Sequence, residues 1–464
     1  MLKPRLTAAL TLVVTGALLA SCSSGSPKAT PSPSVTVSQT PPPEIPGVTD
    51  STITIGSHQP LTGILAPGYA QIAPAAKAYF DYINDHGGVA GRKIQFEYQD
   101  DQSSPTRTKS IVKSYLDSRG VLAIFNGQVS VDHAAVASDL ASGGVPDLFV
   151  GGGCGCWNSP VTMPLTFGFD PDVVAEGKVL AADLMARYPG VPIGVLYQND
   201  AYGQAGLQGV RAVVPPALLV DTESYSTTNA SLASQVGTLR AKQAGIVISF
   251  SVPVFTAELL LTASDLGYAP HFAVSRGGSD PTAVFAEVTK QSANRPVPKT
   301  VAFLDGIVTD SFLPSPDDAT NPWIALFRTV QAGAPAISGQ PFTAQTAYGM
   351  AAAETLVQAL RAAGPALTRA SLVSALEGLT LSPAGPALAP VTLSPTYHGG
   401  FTAMQIGVIT AGQIVQSGPL VSTDAAGAPI SPVAAAAPVV PVLPTPTPTA
   451  AASATTAPTA PSRG

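Results

Sequence analysis

The chain has 464 residues, only 11% of them charged, with 29 acidic against 23 basic side chains and a formal net charge of −6. That balance excludes an electrostatic nucleic-acid binder, which needs a concentrated basic face. The length suffices for two packed cores, and 45 prolines beside 43 glycines predict long stretches that bury little.

Residues 1–21 carry Lys3 and Arg5, then an apolar run from Leu6 to Ala20. A basic start, an apolar core and small residues before a cut site read as a secretory signal; the run is too short for a stable membrane span. Leu19-Ala20-Ser21-Cys22 resembles the bacterial lipobox, whose cleavage leaves Cys22 as a lipid-bearing first residue. An ordinary signal peptide with an incidental cysteine is the alternative. Residues 22–49 are rich in Ser, Pro and Thr and predict a disordered linker. The same kind of composition returns over 423–464, a predicted disordered tail, which leaves about 50–423 to fold.

Within that region strand-like and helix-like segments alternate. Residues 53–55 are a β-branched run, and 70–84 place Ile72, Ala76, Tyr79, Phe80 and Ile83 at helical spacing before Gly87-Gly88. Ile94, Phe96 and Tyr98 alternate with polar residues as a strand does. A helix is predicted over 104–119, with Pro105 in its first turn, then strand 121–125, helix 131–141 and strand 148–150. The rhythm restarts with helix 173–187, strand 193–197, helices 203–214 and 230–242, strand 246–250 and helix 255–266. Helices 348–363 and 369–377 and a strand over 401–409 follow. Alternation of this kind predicts α/β architecture, two doubly wound parallel-sheet lobes. The expected division is 51–170 with 301–380 for one lobe and 171–300 with 390–422 for the other.

The stretch VPDLFVGGGCGCWNSP, residues 145–160, stands out. A short apolar strand runs into three glycines, which let backbone N–H groups approach a ligand at a strand's carboxyl end. Open α/β sheets bind their ligands at such ends. A tight surface turn with a packed Trp157 is the bland alternative.

Five segments then carry a family resemblance: ITIGSHQPLTG (53–63), YINDHGGVAGRKI (82–94), YQDDQSSP (98–105), VLYQNDAYGQAGLQG (195–209) and TAQTAYGMAAAETLVQAL (343–360). In order and spacing they resemble the periplasmic type I solute-binding proteins of branched-chain amino acid ABC transporters, the Leu/Ile/Val-binding family. The VPDLFV…W segment with Glu176-Gly177 looks like an actinobacterial lipoprotein branch of it. The resemblance implies a two-lobed binder with three hinge crossings, a ligand between the lobes and an ABC permease as partner, with no chemistry on the ligand and no cofactor.

It also implies ligand contacts at matching positions. In the loop after the third strand, Ser130 and Gln128 are candidates for a ligand carboxylate; capping of the following helix is the other use for Ser130. The loop after the fourth strand offers Gly152, Gly153 and Cys154, with Trp157 beyond, and Tyr202 matches a tyrosine facing the cleft from the second lobe. The family's aromatic wall near 62–68 is altered to Leu65, Ala66 and Pro67, with Tyr69 after it. Where relatives that bind α-amino acids place a glutamate, this chain reads VSRGG, with Arg276. An arginine in a cleft favours a carboxylate or phosphate; a solvated loop arginine is the alternative. Asp305 is the candidate for supplying the missing negative charge.

Apart from Cys22, Cys154 and Cys156 are the only cysteines. In an exported protein a disulfide between them is the leading reading, beside a pair of free thiols and a metal site, for which two ligands without nearby His or acids are poor. There is no GxxxxGK[ST] loop, no GxSxG elbow and no HExxH. The five histidines are scattered, and Asp100-Asp101 reads as a solvated turn. The chain is therefore expected to be no enzyme, with no metal. Two other readings stay open: a sensor presenting its closed form to a signalling partner, and an enzyme using Cys154 or Cys156 as nucleophile.

Overall fold

The computed structural model describes residues 45–229, 231–292, 300–381 and 385–443. The signal segment, Cys22, nearly all of the linker and the tail from 444 lie outside the described residues. Five parallel strands form the first sheet: β1 (Thr52–Gln59), β2 (Lys93–Asp100), β3 (Ile124–Phe125), β4 (Asp147–Val150) and β5 (Thr166–Gly168), in the order β2-β1-β3-β4-β5. The second begins with β6 (Ile193–Gln198), β7 (Leu219–Tyr225), β8 (Ile246–Phe250), β9 (His271–Val274) and β10 (Val308–Ser311), ordered β7-β6-β8-β9-β10. Both halves thus repeat one winding rule, the second strand outside the first and the third on its other side.

After the hairpin β11 (Thr380–Leu381) and β12 (Val391–Thr392), the second sheet is extended antiparallel by β13 (Ala403–Thr410), β14 (Gln413–Ser422) and β15 (Ser431–Pro432).

The predicted helical stripes bury as their spacing requires. Helix Ile72–Asp85 turns Ile72, Ala76, Tyr79, Phe80 and Ile83 inward, and helix Ala344–Ala363 lies along it, buried over nearly its whole length. Tyr79 donates to the buried Glu354 carboxylate at 2.7 Å. In the second lobe, helices Val173–Arg187 and Ala201–Val213 pack backbone to backbone. A Cβ on Gly177 would strike Gly206 O, and one on Gly209 would strike Val174 O, which accounts for the glycines of EG and LQG.

Several expectations need correction. Residues 301–311 were expected with the first lobe, yet β10 pairs with β9 and β13 and so belongs to the second sheet. Val391 and Leu393, expected with the second lobe, pack into the first lobe's core. Helix 131–141 is broken into Ser130–Ala134 and Ala137–Ser142. Strands β5, β7 and β9 and helices Pro281–Gln291 and Pro322–Gly333 were not predicted. Nor is 423–443 a free tail. The ammonium of Lys178, on helix Val173–Arg187, is buried and donates to Thr423 Oγ1 (2.7 Å), Asp424 O (3.0 Å) and Ala428 O (2.9 Å). A buried ammonium must find acceptors, and this turn supplies three.

The chain passes between the lobes after β5, after β10 and between β12 and β13. Phe169, Phe312 and Phe401, one from each passage, meet with ring centroids 4.7–5.8 Å apart. Beyond β15 the chain passes over once more: Ala436 N donates to Leu388 O at 2.7 Å, and Val440 and Leu443 pack on the first lobe's core.

Candidate ligand-binding cleft

Two topological switch points, β1/β3 in one lobe and β6/β8 in the other, aim their carboxyl ends at a common cavity. Its volume is about 90 Å³. Roughly 10–15 Å³ of such space admits one water, so it suits a small solute. The cleft is closed in this structure. Tyr69 Oη donates across it to Gly277 O at 3.1 Å, and Leu65 and Val129 of the first lobe join a second-lobe cluster with Val252 and Phe255.

The first lobe presents Gln128, Val129 and Ser130 after β3, and Gly152 after β4. The β3 loop is unusually bent: Asn126 and Val129 have φ of 52° and 66°, the latter costly for a β-branched side chain. Bonds hold it there. Gln128 Nε2 donates to Asn126 Oδ1 (2.8 Å), Asn126 Nδ2 to Phe149 O (2.7 Å) and Gly151 N to Gly127 O (3.0 Å). Ser130 does not cap its helix, whose N-cap is Val129; its hydroxyl lies 3.5 Å from Gly152 O, pointing toward the neighbouring loop. Gly152 has φ +108°, and a Cβ there would lie 2.5 Å from Ser130 Oγ. Gly152 therefore lets the loops after β3 and β4 lie close together.

Beneath this loop runs a buried chain that no sequence spacing revealed. Asp101 Oδ2 lies 2.8 Å from His58 Nδ1, His58 Nε2 2.9 Å from His133 Nδ1, and His133 Nε2 2.8 Å from Asp147 Oδ2. Burial pushes the His58 pKa down, against the Asp101 carboxylate that it bonds. Asp101 is thus no solvated turn residue. Both acids hold the turn: Asp100 accepts from Leu61 N, Thr62 N and Thr62 Oγ1, while Asp101 Oδ1 accepts from Ser103 N at 2.9 Å.

The second lobe contributes Tyr202, Val252, Arg276, Gly277 and Asp310. Asp200 caps the helix that carries Tyr202, and Tyr202 Oη bonds Ser275 Oγ and Ser251 O. Arg276 is neither solvated nor free for an anion. Its guanidinium lies 3.2 Å from Asp170, 3.6 Å from Asp310 and 3.8 Å from Glu176, over the Phe312 ring at 5.1 Å. Burial works against its charge, but the three carboxylates outweigh that and push its pKa up. Burial, and then the like charge of Asp310, hold Glu176 well above the usual carboxylate range. Asp170 also accepts from Gly152 N (2.7 Å) and Tyr348 Oη (3.3 Å), so it joins both lobes.

Three expected ligand residues lie outside the cavity lining. Gly153 packs against Val173, whose N–H donates to Gly153 O at 2.9 Å. Cys154 and Trp157 sit in a small buried cluster with Ala137 and Val150, the indole edge-on to His133 at 5.1 Å. The one-turn helix Gly155–Asn158 directs them there, and Cys154 and Cys156 are joined as a disulfide. Asp305 also falls elsewhere, accepting from Ala411 N at 2.7 Å. Leu65 and Tyr69, read from the sequence only as an altered aromatic wall, both line the cavity, and sequence reasoning missed Asp170, Asp310 and Tyr348 as lining residues. Among the described residues, no group of three or more His, Cys, Asp or Glu is placed to hold a metal, and no helix is long and apolar enough to cross a membrane.

A family model described as periplasmic binding protein matches residues 52–413. A Leu/Ile/Val-binding protein homolog 8 of Brucella abortus is 26% identical over 240 residues, covering 49% of this chain; the chain spans 58% of that relative's length. Among solved structures, a branched-chain amino acid ABC transporter of Thermus thermophilus with bound valine is similar (TM-score 0.69, 16% identity, 81% of this chain and 97% of the other). So are a substrate-binding periplasmic protein of Ralstonia solanacearum (0.68, 22%, 79% and 100%) and a fatty acid ABC transporter substrate-binding protein of Thermomonospora curvata (0.69, 20%, 84% and 98%).

Proposed function

Since this chain belongs to the periplasmic binding protein family, with the two-lobed fold of its type I members, we propose that it captures a small amino acid or related carboxylate-bearing solute outside the cytoplasmic membrane and delivers it to an ABC permease. A lipid on Cys22 tethers it to the outer face of that membrane. The observation that carries this reading is the closed cavity between the two switch points, of a size for a solute like the valine in the Thermus structure.

The ligand's carboxylate is held from the first lobe at the bent loop after β3, by the Ser130 hydroxyl, with Gln128 and Gly152 lining the cavity beside it. Tyr202 and Tyr69 cover it. A ligand touching both lobes biases the hinge equilibrium toward the closed form, and the permease reads that form. The proteins of this family bind solutes rather than transform them, and the cleft needs only to hold.

A thermal-shift screen of the mature chain against amino acids, dicarboxylates, aromatic acids, amides and sugars tests the proposal. A bound solute at a hundredfold excess over its Kd adds about 2.7 kcal/mol of stability. Response to an amino acid or carboxylate is expected; response to sugars alone sinks the reading. Separately, Cys22→Ala is expected to move the protein from the membrane fraction to the soluble extracytoplasmic fraction. Unchanged membrane association of that variant contradicts the tether.

A further inference from the structure

Beneath the loop after β3, protons can be counted. Contacts of 2.8, 2.9 and 2.8 Å join Asp101, His58, His133 and Asp147 in a row. As hydrogen bonds, each holds one proton between its two heavy atoms. A neutral imidazole brings one N–H and one lone pair, so two neutral rings supply two protons. With both carboxylates ionised, the outer contacts use those two. The inner one then sets the lone pairs of His58 Nε2 and His133 Nδ1 face to face. The row therefore closes only with one proton more than neutral rings carry, and that count is the same whichever of the four groups owns it.

The geometry of the inner contact is that of a shared proton. The ring planes are 20° apart, and the centroids, at 5.2 Å, exceed the N···N distance by about two imidazole radii, so the rings meet end to end. The four side chains are at most 1% exposed. The strongest charges acting on His58 are those of Asp101, His133 and Asp147. From helix Ser130–Ala134 the Asp132 carboxylate acts on Asp101. Thr108 Oγ1 lies 3.4 Å from Asp101 Oδ2, Thr166 Oγ1 3.3 Å from Asp147 Oδ2, and the Trp157 ring stands edge-on to His133. The acids favour keeping the extra proton, and burial of the rings works against it.

The loop rests on that same contact. A Cβ on Gly127 would lie 2.5 Å from His133 Nδ1 and 2.6 Å from His58 Nε2, the two nitrogens that share the proton. Gln128 and Ser130, which line the cavity, follow directly, with Val129 between them at φ 66°. Such a backbone persists only while its surroundings fix it.

We propose that the row Asp101–His58–His133–Asp147 is a proton-binding site that positions the ligand loop. With the extra proton the rings stay joined and Gln128 and Ser130 face the cavity; without it the two lone pairs repel, the rings part and the loop shifts. The closed cleft described above is the proton-loaded form. Solute capture is accordingly strongest on the acid side and weakens as pH rises through the midpoint, by up to about tenfold per pH unit. That consequence rests on the capture function proposed above, whereas the proton site and its test need no solute.

The test is ring-nitrogen NMR of the mature protein, isotope-labelled at histidine, glycine and glutamine, from about pH 5 to about pH 9. His58 and His133 are expected to show three protonated ring nitrogens at the acid end and two at the alkaline end. The amide signals of Gly127 and Gln128 should shift with the same midpoint. Two protonated nitrogens throughout overturn the extra proton; three throughout make it a fixed bond and overturn the switch. Loop amides that ignore the ring titration overturn the positioning role. In His58→Gln the amide donates to His133 Nδ1 without an extra proton, so the loop signals should stay near those of the parent's acid form. Asp132→Asn is expected to keep the step. A step that survives His58→Gln, or disappears in Asp132→Asn, assigns it to another group and sinks the proposal. Should His58→Gln fail to fold, the proton count on the unaltered chain decides.

Discussion

Asp132 sits beside the loop after β3 with its carboxylate buried and neither oxygen hydrogen-bonded. Burial, then the nearby Asp101 charge, push its pKa up to about 7. In the unfolded chain the group ionises near about 4, so between those values the native state holds a proton that the unfolded state has lost. Stability from this residue is therefore present at acid pH, falls as pH rises from about 4 to about 7, and is level above. Asp132→Asn is expected to remove that part of the pH dependence: its melting temperature, compared with the parent's, should gain between pH 5 and pH 8. Parallel curves for the two proteins across that range contradict the assignment. This upward shift was not readable from DHAA in the sequence, because it is made by burial and by Asp101, which the fold brings from the end of β2.

At the scale of elements, the loop after β3 is braced from below. Gly127 rests on the His58–His133 pair, where a Cβ would lie 2.5 Å from His133 Nδ1 and 2.6 Å from His58 Nε2. Gly127→Ala must part the two rings or lift the loop. A loss of about 1–3 kcal/mol in urea unfolding is expected, as for overpacking, with weaker solute binding because Gln128 and Ser130 move with the backbone. An unchanged midpoint means that the loop yields freely and the brace is not one. The strand–helix alternation was legible here, since the buried apolar run 121–125, of which Ile124–Phe125 forms strand β3, and amphipathic helices such as Ile72–Asp85 declare themselves by pattern. Strand β7 did not, because LVDTESY is a half-exposed edge with no apolar face, and β5 is only three residues long. Of the candidate site, Gln128, Ser130, Gly152, Tyr202 and Arg276 were found because loops after strands carry them. The acids around Arg276 were not, because they come from three separate segments that only the tertiary fold brings together.

Across the whole molecule, composition misplaced the end of the folded region. A chain stopped after Thr423 loses two of the three acceptors of Lys178, strand β15 and the return of Val440 and Leu443 to the first lobe. Against a chain ending at Leu443, it is expected to unfold with about 1–3 kcal/mol less stability from the ammonium alone, and Lys178→Met should recover part of that in the shorter chain. Equal stability of the two truncations removes the latch from the account.

The same layout governs the order in which the protein can be assembled. The first sheet is complete by Gly168, but the helix that covers it, Ala344–Ala363, arrives much later; Tyr79 and Glu354 are 275 residues apart. The second lobe waits in the same way for β13 and β14. Contacts between such distant segments slow folding, because the intervening chain must close on itself first. A chain threaded through a membrane channel with its N-terminus leading therefore has neither lobe finished until almost all of it has emerged. It stays loose for as long as passage requires.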